Sequence, residues 1–212
     1  LNAGTTFSMA NSIMFTGSGE LDNGLTASIS FELDQGTANN SGNNFDNHSV
    51  SISSDSLGTL TLAGHGGSTA ASAIDTTAAG DMWDNFDEMT IGATTTNDAV
   101  QMSGAGNNSL FYKSPDLMDG LNITLSYDPQ GSGAASEMGY GFNYTGVEGL
   151  SLSYATTDIE SGTATTSGDN TAIKASYAYG PVTISYTDME NELSAAANAS
   201  DRVSTSYALS YT

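Results

Sequence analysis

The residues of this chain best placed to do chemistry are carboxylates. The stretch Ala79-Gly-Asp-Met-Trp-Asp-Asn-Phe-Asp-Glu-Met gathers Asp81, Asp84, Asp87 and Glu88 around Trp83, the only tryptophan, and Phe86. At a narrow, low-dielectric waist such acids would focus a negative field and favour cations. On an external loop they would be ordinary solvated groups. A second set, Glu32, Asp34, Asp128, Glu137, Asp158, Asp188, Glu190 and Asp201, falls at one end of the apolar-patterned segments. Oxygen ligands at this density could take up Ca²⁺ or Mg²⁺ weakly. No spacing matches an EF-hand or a nonapeptide calcium repeat, so neither a dedicated metal site nor another cofactor is expected. The cations are few: Lys113, Lys174 and Arg202.

Reaction chemistry is not legible. His48 and His65 stand singly at segment ends, and no Gly-x-Ser-x-Gly elbow precedes a helix. Gly17-Ser-Gly lies inside a strand pattern, and Gly139 and Gly141 read as clearance on a strand face rather than a phosphate cradle. The chain is therefore not expected to be an enzyme. With 24 acidic residues against 3 basic ones, a net charge of -21, it would repel nucleic acid. There is no cysteine for disulfides or thiolate sites. No run approaches the ~18 apolar residues of a transmembrane helix.

The elements that must carry these residues are strands. Leu25, Ala27, Ile29, Phe31 and Leu33 alternate with Thr26, Ser28, Ser30 and Glu32. The same period of two runs through Leu121–Tyr127, Leu150–Tyr154, Ile173–Tyr179, Val182–Tyr186 and Val203–Tyr211, so each segment has one apolar and one polar face. Strands are predicted at 11–21, 25–35, 48–55, 59–65, 108–114, 121–128, 137–145, 150–158, 171–179, 182–190 and 202–212. Short connections rich in Asn, Asp, Gly and Pro alternate with long ones at 36–47, 66–107, 129–136, 159–170 and 191–201. This is how an antiparallel transmembrane β-barrel is built, with short turns on the periplasmic side and long loops outside. Phe31, Tyr127, Tyr154 and Tyr186 near the loop ends, and Tyr112, Tyr144, Tyr179 and Tyr211 near the turn ends, would form two interfacial girdles on the apolar face. Lys113 and Lys174 fall on the opposite, inward parity, as do Glu32 and Asp128, and Arg202 begins a strand.

Several of these segments resemble a known family. Asn11-Ser-Ile-Met-Phe-Thr-Gly-Ser-Gly-Glu-Leu-Asp-Asn-Gly-Leu-Thr-Ala-Ser-Ile-Ser-Phe-Glu-Leu is similar to the second and third strands of Gram-negative general diffusion porins, those of alphaproteobacteria in particular. Val50-Ser-Ile-Ser and Leu57-Gly-Thr-Leu-Thr-Leu-Ala-Gly resemble the next hairpin, which leads into the constriction loop. Ser109-Leu-Phe-Tyr and Gly120-Leu-Asn-Ile-Thr-Leu-Ser-Tyr resemble the hairpin after it. The resemblance implies one β-barrel domain over 1–212, with segment 66–107 inserted as a loop that folds into the lumen. Asp81, Asp84, Asp87 and Glu88 would then line the pore constriction, and Trp83, Phe86 and Met89 would anchor the loop to the wall. Members are 16-stranded trimers, and about 11 strands are readable here, so first and last strands are expected to be missing from this sequence.

The implied function is a water-filled channel in the cell outer membrane, passing small hydrophilic solutes. Its partners would be two further copies of itself, outer-membrane lipid and lipopolysaccharide. One departure is plain. Family pores set basic residues opposite the constriction loop, whereas Ser12, Met14, Thr16 and Ser18 carry no charge, which predicts a weak transverse field and a cation preference. The alternative is a secreted or surface-layer acidic β-protein, an adhesin or filament subunit bridged by divalent cations. It would bury its apolar residues and show a regular repeat, and no fixed period is present.

Overall fold

A computed structural model describes residues 12–34, 45–74, 90–91, 94–95, 107–129, 136–160, 167–193 and 202–211. The strands are β1 (Ser12–Glu20), β2 (Thr26–Asp34), β3 (Phe45–Ser54), β4 (Gly58–His65), β5 (Thr90–Ile91), β6 (Thr94–Thr95), β7 (Ser109–Lys113), β8 (Leu121–Asp128), β9 (Ser136–Tyr144), β10 (Leu150–Glu160), β11 (Gly168–Tyr179), β12 (Val182–Leu193) and β13 (Arg202–Tyr211). Eleven of them form one antiparallel sheet in chain order, β1-β2-β3-β4-β7-β8-β9-β10-β11-β12-β13. Among the described residues β1 and β13 are not paired with each other, so the sheet stays open. Its strands are the eleven that the period-two pattern predicts.

The tight turns follow from residues that tolerate a left-handed backbone. Gly24 (φ 80°), Gly58 (φ 77°), Gly120 (φ 70°), Gly149 (φ 76°) and Gly180 (φ 58°) sit at the short connections, where a Cβ would be strained. Asn23 adds a local bond, its Oδ1 accepting from the Leu25 N–H at 3.2 Å.

The burial pattern is inverted relative to a water-soluble protein. Large apolar side chains on one face stand exposed: Ile29 45%, Leu125 46%, Ile184 59% and Leu209 74%. The buried set is small or polar, with Ala63, Thr124, Ser126, Ala155, Thr157, Asn170, Ala172 and Thr187 on the other face. A monomer in water would not present so continuous an apolar surface. A strand face against lipid must. No second sheet covers Ile29, Leu125, Leu152 or Ile184, so the core of a soluble sandwich is absent among the described residues.

Four boundaries differ from the sequence reading by two residues or more. β10 runs to Glu160, β11 starts at Gly168 and β12 runs to Leu193. Most of their extra residues are polar, Glu160, Asp169, Asn170, Asn191 and Glu192, and the backbone ladder continues through them, as in Asp158↔Asp169 and Asp169↔Glu192. Pairing needs only N–H and C=O groups, so the sheet outlasts its apolar pattern. As a result Tyr154 and Tyr186 lie within their strands rather than near the loop ends. β3 also starts earlier, at Phe45, with register shifts against both β2 and β4.

Candidate functional site: the inner wall and its docked segment

After β4 the chain turns across the polar face, which is called the inner face here. Thr69, Ala70 and Ala71 are buried to 1%, 0% and 0% exposure. A single 3₁₀ turn, Ser72–Ile74, follows. The turn is closed by its own hydroxyls: the Thr69 N–H donates to Ser72 Oγ at 2.8 Å, and the Ser72 N–H donates to Thr69 Oγ1 at 3.0 Å. Such reciprocal bonds satisfy amides that a short turn leaves orphaned.

Two backbone bonds fasten this segment to the wall. The Ala70 N–H donates to Ser126 Oγ of β8 at 2.9 Å, and the Ala71 N–H donates to Thr157 Oγ1 of β10 at 3.3 Å. Ser126 and Thr157 are joined in register through Gly139 of β9. A Cβ on Gly139 would stand 2.6 Å from Ser126 Oγ and 2.7 Å from Thr157 Oγ1, so any larger residue would push the two acceptors aside. The next row is Thr124, Gly141, Ala155, Ala172 and Met189. Ala70, Ala71, Ala155, Ala172 and Met189 pack together, with Ile74 against them. Two rows of small side chains thus make a shallow bed, and the backbone of 69–74 lies in it.

The same face carries a polar ladder. Ser153 Oγ donates to Asn143 Oδ1 at 2.7 Å, Asn143 Nδ2 to Asn122 Oδ1 at 3.3 Å, and Asn122 Nδ2 to Asp116 Oδ1 at 3.4 Å. Lys174 continues that row between Ser153 and Thr187. Asn191 Nδ2 donates to Asn170 Oδ1 in the row that holds Thr157. Every strand from β8 to β12 therefore offers hydrogen-bonding groups to water or solute on this side.

The predicted site residues divide into two groups. Asp81, Asp84, Asp87, Glu88, Trp83 and Phe86 lie outside the described residues. Of the lumen charges, Glu32 is in register with Met14 on the inner face and accepts from Asn47 Nδ2 at 3.1 Å. Asp128 is 3% exposed and directly opposite Glu137. Lys113 stands between Thr59 and Thr124, on the inner parity. Arg202 is the register partner of Asn191, which places it in the Thr157 row; its side chain is outside the described part. These charges share one face but are spread over β2, β7, β8, β11 and β13. Sequence reasoning missed Thr69, Ala70, Ala71, Ser72, Ser126 and Thr157. The signal was there as the run Ser68-Thr-Ala-Ala-Ser-Ala and the Gly139, Gly141 alternation.

On the outer face all ten tyrosines of the chain lie on β7–β13. Tyr140 and Phe142 pack against Tyr154 with ring centroids 6.5 and 5.7 Å away, and Tyr186 packs on Tyr207 at 5.2 Å. Outer acids stand beyond these rings, among them Asp158, Asp169 and Glu192. That change from ring to carboxylate is where the membrane interface ends. Among the described residues no group of three or more His, Asp or Glu is placed to hold a metal ion.

No curated protein matches the chain. Among solved structures a refined porin matches with 16% identity and a TM-score of 0.54, covering 93% of this chain and 68% of that one. An engineered Rh. blastica porin matches at 17% identity, over 95% of this chain and 79% of that one, with a TM-score of 0.46. A triple mutant of the Rhodopseudomonas blastica porin gives 17% identity, the same coverages and a TM-score of 0.42. The first likeness supports the barrel-wall fold. The model of the Gram-negative porin family matches residues 2–212. With that match beside an open antiparallel wall that is apolar outside and hydrogen-bonding inside, the chain belongs to the Gram-negative porins, channels of the outer membrane.

Proposed function

We propose that this porin is a cation-preferring channel for passive diffusion of small hydrophilic solutes, with no reaction performed. The observation that carries the reading is the bond of Ala70 and Ala71 to Ser126 and Thr157. It fastens the stem of the acidic segment 66–107 to the inner wall, so that Asp81, Asp84, Asp87 and Glu88 would border the water path, with Trp83 and Phe86 holding the segment to the wall. The wall offers little opposing charge. Inner positions Thr16, Ser18, Ser28, Ser30, Ser49, Ser51 and Thr61 of β1–β4 are hydroxyls, and all of them but Thr61 line a cavity of about 460 Å³ at β1–β3. The test is reversal potential in a planar bilayer under a salt gradient. Asp81, Asp84 and Asp87 changed together to Asn should lower cation selectivity, and the parent's preference should fade with salt as screening shortens from about 10 Å at 0.1 M to about 3 Å at 1 M. A triple variant as selective as the parent refutes the assignment and shifts it to the outer acids.

The same reading includes a homotrimer. Tyrosine belts mark walls that meet lipid headgroups, and β1–β4 have none. Their outer face is apolar, with Ile13, Phe15, Ile29, Val50 and Leu60 exposed and Gly17, Gly19 and Ala27 between them. That wall suits a second copy of the chain, and β7–β13 suit lipid and lipopolysaccharide. The outer carboxylates, facing one another at Asp158, Asp169 and Glu192, would draw Ca²⁺ or Mg²⁺ weakly to the lipopolysaccharide boundary.

A further inference from the structure

Beside the bed of the docked segment runs the polar ladder, and the ladder has a direction. Ser153 Oγ donates to Asn143 Oδ1 at 2.7 Å, Asn143 Nδ2 to Asn122 Oδ1 at 3.3 Å, and Asn122 Nδ2 to Asp116 Oδ1 at 3.4 Å. Every donor points the same way, toward the carboxylate. At the other end the register continues from Ser153 to Lys174 of β11 and Thr187 of β12. One row across the inner wall thus has an anion at one end and a cation toward the other. The N–H end of the ladder meets Asp116 and its hydroxyl end adjoins Lys174, an order that favours both charges.

The ladder has groups to spare. A carboxamide carries two N–H donors and two lone pairs, and Asn122 and Asn143 each use one donor and one lone pair within the ladder. Thr187 adds a stronger sign. It is 2% exposed, and its Oγ1 is screened from solvent with no hydrogen-bond partner among the described residues. Such a hydroxyl is unfavourable until an acceptor reaches it. The row is also shaped. The next row, running through Gly141, Ala155 and Ala172, lies about 7 Å toward the loop ends of the strands. Ala70 and Ala71 of the docked segment pack against it. The ladder is therefore a ledge, with the wall as its floor and the segment along one side. Two more charges border it and are opposite in sign: Lys113, one row higher beside Thr124, and Asp119, in the same turn as Asp116.

We propose that this row is a binding track for short zwitterionic peptides. The peptide's ammonium group goes to Asp116, and its terminal carboxylate goes to Lys174 and the Thr187 hydroxyl. Its own N–H and C=O groups meet the spare acceptors and donors of Asn122 and Asn143. Length follows from the sheet. Asn122 and Lys174 are three strands apart, about 14 Å at about 4.8 Å per strand, and an extended chain covers about 3.3–3.6 Å per residue. A peptide of about four residues spans the track, and a dipeptide does not. A neutral glycol of the same length meets the amides but pairs with neither end. The track depends on the channel reading only in that the inner face must meet water.

The probes are tetra-alanine, dialanine and N-acetyl-tetra-alanine amide, which has no charged ends. In saturation-transfer NMR on the detergent-solubilised protein, tetra-alanine should bind saturably, about two- to five-fold more tightly than dialanine, which keeps one end on the track, and more tightly still than the capped peptide. Lys174→Met and Asp116→Asn should each weaken tetra-alanine by about two- to five-fold, and Asn143→Ala by about two- to ten-fold. Equal binding of the three peptides to the parent protein overturns the track, and that comparison needs no variant to fold. Unchanged tetra-alanine binding in both folded charge variants overturns it as well. In planar bilayers tetra-alanine should lower the parent's current saturably, and the capped peptide should lower it less. A channel that conducts unimpeded at peptide concentrations that saturate binding in detergent takes the track off the water path and overturns it. A protein that binds tetra-alanine in the expected order but never conducts refutes the channel reading and leaves the track standing.

Discussion

Removing the two wall acceptors should release the docked segment without disturbing the sheet. Ala70 and Ala71 are fully buried, and their N–H groups have Ser126 Oγ at 2.9 Å and Thr157 Oγ1 at 3.3 Å. Ser126→Ala and Thr157→Val take away a side-chain oxygen each and leave the backbone ladder of β8 and β10 intact. A buried donor left without a partner costs about 1–3 kcal/mol. At 1.4 kcal/mol per factor of ten, that is about a five-fold to hundred-fold faster exchange of the affected amide, if exchange follows opening of the segment. Ser126→Ala should act more strongly, because its bond is the shorter. The double variant should exceed either single one, since both bonds hold one six-residue stem. Thr156→Val is the control: its hydroxyl faces outward and bonds Thr171 Oγ1 at 3.2 Å, so the Ala70 and Ala71 amides should not respond. The assay is hydrogen exchange on the 66–74 peptide, with single-channel conductance beside it, which should become larger or noisier as the segment loosens. If the double variant left exchange at Ala70 and Ala71 unchanged, the docking bonds would not hold the segment and the reasoning would fail.

Two other outcomes follow from the wall itself. Val50→Trp, placed between Ile29 and Leu62 by register, should overpack a protein interface at about 1–3 kcal/mol per copy and shift detergent-solubilised trimers to monomers by light scattering; an unchanged oligomer would mean that β1–β4 meet lipid. Gly24→Ala and Gly58→Ala share a left-handed backbone, worth about 1–2 kcal/mol each, but only Gly58 is crowded, its added Cβ lying 2.2 Å from Lys113 O. Gly58→Ala should therefore lower the urea midpoint more than Gly24→Ala, and equal midpoints would show that the contact of the β3–β4 turn with the end of β7 gives way freely.

The sequence by itself determined the sheet. A period of two sends Leu121, Ile123, Leu125 and Tyr127 to one side and Asn122, Thr124, Ser126 and Asp128 to the other, whatever the partners turn out to be. It therefore also set the face of Glu32, Asp128, Lys113 and Lys174. Local chemistry likewise marked the turns, because Gly24, Gly120 and Gly149 occupy backbone conformations that other residues avoid. Strand ends were less legible at Glu160 and Leu193, where the ladder continues on backbone bonds after the apolar alternation stops. The docked segment left only a weak local mark, the small-residue run 68–73 and the Gly139, Gly141 alternation. Ala70 and Ala71 are small residues in a small-residue run, and what buries them lies far along the chain: Ser126, Gly139, Thr157, Ala172 and Met189 are brought together by the register of five strands. Periodicity is a property of each strand alone. A bed for a loop is a property of several strands in register, and only the tertiary structure supplies that.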